Sequence, residues 1–124
     1  MKMLTKNFSE EEMRCRCKEC DGGRMDLAFM TLLQEARSGY GRPVYVTSGF
    51  RCEKHNREVG GLPHSLHLFG MAADAEFFHI QDVYNYVRSA MNAGLKKIGI
   101  KRLAAGHYMV HVDASKEPGI FVYE

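Results

Sequence analysis

Residues 106–113 read GHYMVHVD, and this stretch decides the predicted fold. Side chains alternate between the two faces of a β-strand, so Tyr108, Val110 and Val112 share one face. His111 and Asp113 share the other, together with His107 and Met109. The apolar face can join a hydrophobic core. The face with His111 and Asp113 is therefore expected to line a cleft or meet water.

The same alternation applies to residues 71–77, which also read as extended chain. Ala73, Ala75 and Phe77 suit the interior, which leaves Asp74 on the opposite side. The small residues around Asp74 keep space clear beside its carboxylate. His67 precedes Asp74 by seven positions, on an irregular segment able to turn its imidazole toward that carboxylate.

The remaining elements predict an α+β fold. Ser9 and Glu12 form a capping box for a short first helix, and an apolar period of 3.6 predicts a second helix ending near Gly39. A third helix is expected to bury an apolar face and to close at Gly94. The positions assigned to that face are Ile80, Val83, Tyr84, Val87 and Met91. Short strands at 44–47, 97–101, 107–113 and 119–123 complete a small antiparallel sheet flanked by helices.

Length and composition favour one globular domain. The chain has 124 residues, of which 45% are hydrophobic and 26% charged. We expect a single domain over residues 1–124, with the Cys-containing segment 1–23 packed on it, and a monomer. The net charge is +2 and the two signs are mixed, which gives no support to a nucleic-acid partner. The basic cluster at 96–102 reads as a solvated strand edge.

Hydropathy excludes a membrane span, because no stretch approaches about 18 consecutive apolar residues. The first residues also lack the apolar run of a secretory signal. We therefore expect synthesis in the cytoplasm without a signal peptide.

The four cysteines leave three alternatives open. Cys15, Cys17 and Cys20 lie within six residues and Cys52 lies far along the chain. They could be reduced, partly buried thiols, or form a disulfide involving Cys52, or hold a structural zinc with Cys52 as the fourth ligand.

Two imidazoles and a carboxylate from three segments, His67, Asp74 and His111, make the ligand set of a catalytic zinc. Such a set leaves a fourth coordination position for water. His55 and His79 lie in polar or helix-start contexts and are interpreted as ordinary histidines.

Several motifs carry a family resemblance. They are Ser48-Gly49-Phe50-Arg51, His55-Asn56, Val59-Gly60-Gly61 and the S-x-H-x-x-G-x-A-x-D pattern of residues 65–74. With the later H-x-D, they resemble the zinc D-Ala-D-Ala carboxypeptidase family, which includes phage endolysins that cut peptidoglycan stem peptides. The resemblance covers roughly residues 8 to 114. It implies a fold like that of Hedgehog domains and DD-peptidases.

The resemblance also implies roles. It assigns one zinc ion to His67, Asp74 and His111, places Arg51 near the scissile carbonyl, and leaves Ser65 to bind substrate or brace the His67 loop. The acidic general base of well-characterised members is missing, because its position holds Tyr108. Asp113 is the replacement candidate, with orientation of His111 as its other possible role, and His107 is a weaker choice.

The expected function is zinc-dependent hydrolysis of a stem-peptide bond, at D-Ala-D-Ala or between L-Ala and D-Glu. The alternatives are a zinc-bearing, non-catalytic binding module, as in Hedgehog, and a structural or chaperone-like cell-wall component. A lytic enzyme without a signal peptide would act on the wall once released, as in phage.

Overall fold

A five-stranded sheet forms the centre of the computed structural model, which describes residues 1–123. The strands lie in the order β1-β2-β4-β3-β5. Their bounds are β1 Tyr45–Ser48, β2 Ala72–Phe77, β3 Lys97–Arg102, β4 Tyr108–Asp113 and β5 Gly119–Tyr123. The first four pair antiparallel, as the alternating patterns predicted.

The last strand corrects one detail of the predicted sheet. β5 pairs parallel with β3, in the register Lys97 to Gly119, so the sheet is mixed and not wholly antiparallel. β4 already has β2 and β3 on its two sides, so β5 cannot pair beside β4 and adds instead at the outer edge of β3. The short connection after Asp113 returns the chain to the beginning of β3, where the Gly119 N–H donates to the carbonyl of Lys96 at 3.0 Å.

The first helix has its predicted capping box, and the later helices begin at caps that were not predicted. In α1 (Glu10–Met13), Ser9 and Glu12 form the capping box. The longer helix α2 (Leu27–Tyr40) begins after Asp26, whose side chain accepts from the Phe29 N–H. α3 (Glu53–Glu58) follows Cys52, and a 3₁₀ helix spans Leu66–Phe69.

The face of α4 (Ile80–Ala93) differs from the predicted one. Val83 is buried as expected, but Ile80, Tyr84 and Met91 are exposed. The buried face runs instead through a partly different set, Val83, Tyr86, Ser89 and Ala90. Small and amphipathic residues are preferred there because α4 packs closely on α2: the Ser89 hydroxyl donates to the Ala36 carbonyl at 2.7 Å.

The hydrophobic core lies between one face of the sheet and these two helices. Val110 and Val112 of β4 are fully buried in it, and Ala73 and Ala75 of β2 pack beside them, while Tyr108 is partly buried against the cluster. This is the face predicted to be interior. Residues before α2, Phe8 and Met13 among them, complete the core. Within residues 1–123, no helix has the length and apolarity needed to cross a membrane.

Candidate metal centre and active site

The sheet register brings the predicted acidic and imidazole ligands together. Asp74 of β2 lies directly opposite His111 of β4. Both side chains point away from the core face, as the alternation of each strand predicted. The carboxylate Oδ1 of Asp74 accepts from Nδ1 of His111 at 2.8 Å.

His67 enters the same site from the 3₁₀ helix between Ser65 and Gly70. Its Nδ1–H donates to the Gly49 carbonyl at 2.7 Å, which leaves Nε2 as the nitrogen with a free lone pair. Nε2 lies 3.3 Å from Oδ2 of Asp74. Among the buried side-chain nitrogen and oxygen atoms of the described residues, His67 Nε2 is the one without a hydrogen-bond partner. An imidazole held in this way is typical of a metal ligand.

The donor set fits a zinc ion. One ligand atom from each of His67, Asp74 and His111 lies within 4.8 Å of the other two. Tetrahedral zinc with nitrogen and oxygen ligands at about 2.05 Å separates those ligands by about 3.3 Å. His67 and Asp74 are 2% and 3% exposed, so the ligands are shielded from bulk water. Three protein ligands leave one position for water or substrate.

The electrostatics of the site depend on Asp74. Burial alone would raise the pKa of Asp74, but the hydrogen bond to His111 and the nearby His67 outweigh it and hold the pKa well below its usual range. Burial alone would lower the pKa of His111, but hydrogen bonds to Asp113 and Asp74 raise it to about 9. An imidazole must be neutral to bind a metal, so binding at this site would require loss of the His111 proton.

Arg51 lies against the same carboxylate. Its Nη2 donates to Oδ2 of Asp74 at 3.2 Å, Nε donates to the Ser48 hydroxyl at 3.1 Å, and Nη1 donates to the Asn56 amide oxygen at 3.2 Å. The Arg51 backbone N–H also donates to the His67 carbonyl at 3.0 Å. Arg51 is thus fixed against the Asp74 carboxylate and the His67 backbone.

The other predicted residues lie at different distances from the centre. The Ser65 hydroxyl accepts from the His67 backbone N–H at 3.2 Å. Oδ2 of Asp113 accepts from Nε2 of His111 at 2.7 Å, and its Oδ1 accepts from the Ser115 N–H at 2.8 Å. His107 lies apart, because it precedes His111 by four positions of extended chain, about 13 Å. Its Nδ1 lies 3.2 Å from Oε1 of Glu76.

Asn56 is a site residue to which sequence reasoning gave no role. It is buried, accepts from Arg51, and donates to the Leu62 carbonyl at 2.8 Å. Gly61 makes room for this network, because a Cβ there would lie 2.0 Å from the Asn56 oxygen. The motifs His55-Asn56 and Gly60-Gly61 contain the residues of this network. The contact between Asn56 and Arg51 could not be predicted from them, because it depends on the path of the chain between α3 and the 3₁₀ helix.

Tyr123 and Phe121 of β5 were also missed. The Phe121 ring centroid lies 6.0 Å from that of His111. Burial and the Asp74 charge raise the pKa of Tyr123 to about 12 despite the opposing effect of Arg51, which places the phenol within electrostatic reach of the site. The alternation of side chains along a strand predicts that Phe121 and Tyr123 share a face. The parallel pairing of β5 with β3 is what places that face beside His111.

The fold and the centre define a class of protein: an α+β, peptidase-like domain with a candidate His/Asp/His metal site on one face of its sheet. A family model described as Peptidase M15 matches residues 6–113. The chain belongs to this family of zinc D-Ala-D-Ala carboxypeptidase-like peptidases, which confirms the predicted resemblance. Membership implies a metallopeptidase. A comparison with curated proteins found no match.

Proposed function

We propose that the protein hydrolyses a peptide bond in peptidoglycan stem peptides, as a zinc-dependent D-Ala-D-Ala carboxypeptidase or L-Ala-D-Glu endopeptidase. The observation that carries the proposal is the buried His67 Nε2, which lacks a hydrogen-bond partner and faces the Asp74 carboxylate beside His111. His67, Asp74 and His111 would hold the ion. Membership of the Peptidase M15 family supports the metal and the reaction class.

A zinc ion held by His67, Asp74 and His111 would supply a bound water with a pKa lowered toward about 7 and a Lewis acid for a peptide carbonyl. Arg51 holds Asp74 in place through Nη2. Its three side-chain hydrogen bonds leave two of the five guanidinium N–H donors for substrate. These donors can stabilise the oxyanion that develops when the carbonyl is attacked, and Arg51 cannot lose its proton at neutral pH.

Ser65 and Asp113 are assigned supporting roles. The Ser65 hydroxyl braces the His67 loop through the backbone N–H of His67. Asp113 lies at Nε2 of His111, the ring nitrogen opposite the one that faces Asp74. This arrangement supports Asp113 as a positioning residue that orients His111, rather than as the group that takes a proton from water. Its role as general base stays an outcome to be tested.

The decisive experiment is mass spectrometry of purified sacculi after incubation with the zinc-loaded protein. We expect either released D-alanine or new amino termini within the stem peptide, and loss of both products on addition of a chelator. The product masses also identify the bond. Intact stem peptides in the presence of protein with stoichiometric zinc would contradict the enzymatic proposal.

A second candidate function is a zinc-bearing, non-catalytic wall-binding module. Two observations favour it: Tyr108, at the family's general-base position, packs against the core, and both Asp113 oxygens accept hydrogen bonds. Under this alternative, sacculi would retain the protein in a pull-down while their peptides remain uncut.

A further inference from the structure

The four cysteines converge outside the His/Asp site. The Sγ atoms of Cys15, Cys17, Cys20 and Cys52 all lie within 4.8 Å of one another. The sulfurs of Cys17 and Cys52 are 3.7 Å apart. In a tetrahedral zinc site with Zn–S bonds of about 2.3 Å, neighbouring sulfurs lie about 3.8 Å apart. A disulfide would use two of these sulfurs and would not explain why all four meet.

Backbone N–H groups surround these sulfurs. The N–H of Gly22 donates to Cys20 Sγ at 3.3 Å, that of Cys52 to Cys15 Sγ at 3.4 Å, and that of His55 to Cys52 Sγ at 3.4 Å. Donors aimed at sulfur stabilise the thiolate form, which is the form that binds metal. The cluster therefore has the supporting hydrogen bonds that metal ligands require.

The donor type selects the ion. Four thiolates are soft ligands and favour zinc among the divalent ions of similar geometry. A zinc ion with four thiolates carries a net charge of about −2. The ligand-bearing segments hold four basic residues and three acidic ones, so they offset only part of this charge: Arg14, Arg16, Lys18 and Lys54 against Glu19, Asp21 and Glu53. No position is left for water, so the site is structural rather than catalytic.

The cluster joins the N-terminal segment to the backbone that supports the active site. Cys52 follows Arg51 directly. Two residues earlier, the Phe50 N–H donates to the Met13 carbonyl at 2.9 Å, and the Gly49 carbonyl holds His67. We propose that Cys15, Cys17, Cys20 and Cys52 bind one structural zinc ion, which fixes residues 49–52 against the N-terminal segment. The sequence left open reduced thiols, a disulfide and a structural zinc site. This geometry favours the structural zinc site.

The test is a metal count on full-length protein purified under reducing conditions. We expect two zinc ions per chain in the wild type, one in Cys17→Ser/Cys20→Ser, and one in His67→Ala/His111→Ala. X-ray absorption at the zinc edge of the histidine variant should show four sulfur neighbours at about 2.3 Å. Replacement by cobalt in that variant should give intense sulfur-to-cobalt charge-transfer bands. Chelation of its remaining metal should lower its melting temperature.

Three results would overturn the proposal: a histidine variant without bound metal, a bound metal without sulfur neighbours, or a Cys17–Cys52 disulfide in a parallel wild-type preparation purified without reductant. Cys17 and Cys20 are only half-buried, so their serine variants are chosen ahead of Cys15, which is buried. If the serine double variant fails to fold, the histidine variant still decides through its spectra. None of these measurements depends on peptide hydrolysis, so an inactive protein with two zinc ions would contradict only the proposed function.

Discussion

The His/Asp site and the four-cysteine site are built in opposite ways. Asp74 and His111 lie on adjacent strands whose register fixes their separation, and His67 is added from a 3₁₀ helix. The cysteines come from an irregular N-terminal segment and from the residue before α3. The first set supplies three ligands and leaves an open position, whereas the second supplies four. A rigid sheet can keep three ligands in place around a metal that has a free coordination position. Irregular segments gain order from a metal whose four positions are all filled by protein ligands.

The largest effect that separates the two sites is expected for His67→Ala. The variant should lose the zinc of the His/Asp site and at least about a thousandfold in hydrolysis, because metal catalysis supplies several kcal/mol of transition-state stabilisation. The cysteine zinc should remain. Metal analysis and product release measured on one preparation test both expectations.

The matched control is His79→Ala. His79 is exposed at the N-terminus of α4, and its side chain makes no capping hydrogen bond. It should keep both zinc ions and full activity. Retention of two zinc ions by His67→Ala would refute the ligand assignment.

Arg51→Lys tests the residue that lies between the two sites. Lysine keeps the charge but cannot contact Ser48, Asn56 and Asp74 together, as the guanidinium does. We expect kcat to fall about 10²- to 10³-fold, as for the loss of one oxyanion donor. Both zinc ions should remain bound.

Arg57→Lys, on the exposed side of α3, is the control and should leave kcat unchanged. An unaltered kcat in Arg51→Lys would remove Arg51 from the proposed mechanism. A loss of the cysteine zinc alone would instead show that Arg51 supports the neighbouring Cys52.

Asp113→Asn distinguishes the two roles of this carboxylate. If Asp113 orients His111, zinc affinity should fall about 10- to 100-fold, while activity at saturating zinc is largely kept. If Asp113 is the general base, zinc affinity should hold and kcat should collapse, with loss of the acidic limb of the pH profile. Zinc titration with a competing chelator, followed by a pH profile at saturating zinc, separates the outcomes. The control is Asp82→Asn, which removes the charge of an α4 carboxylate that pairs with Arg42 away from the site.

The part of the fold that could be predicted is the part governed by local pattern. The alternation of residues in β2 and β4 correctly predicted which face of each strand joins the core. The capping box correctly predicted where the first helix begins. The direction of β5 could not be predicted this way, because its pairing depends on which sheet edge is free. The buried face of α4 was also partly wrong. Contact with α2 favoured Ser89 and Ala90 over the larger Tyr84 and Met91.

The candidate site shows the same division. His67, Asp74, His111 and Arg51 were predicted from spacing, parity and motif, and the structure brings them together. Asn56 and Tyr123 were not assigned, because their contribution depends on long-range geometry. The convergence of the cysteines was left open for the same reason, since nothing local relates Cys52 to residues 15–20.

The smallest effect should come from Ser9→Ala, which weakens the N-terminal segment without touching either site. Ser9 accepts from the Glu12 N–H at 3.1 Å, and loss of such a cap costs about 1 kcal/mol. α1 has only four residues and cannot persist alone, so its stability derives from the cap and from the burial of Phe8 and Met13. If the cysteine zinc ties this segment to residues 49–52, urea unfolding should show the full loss in one transition while both zinc ions remain bound. If no zinc links the segment to residues 49–52, the lost stability should appear as faster amide hydrogen exchange confined to α1. The urea midpoint of global unfolding should then be unchanged.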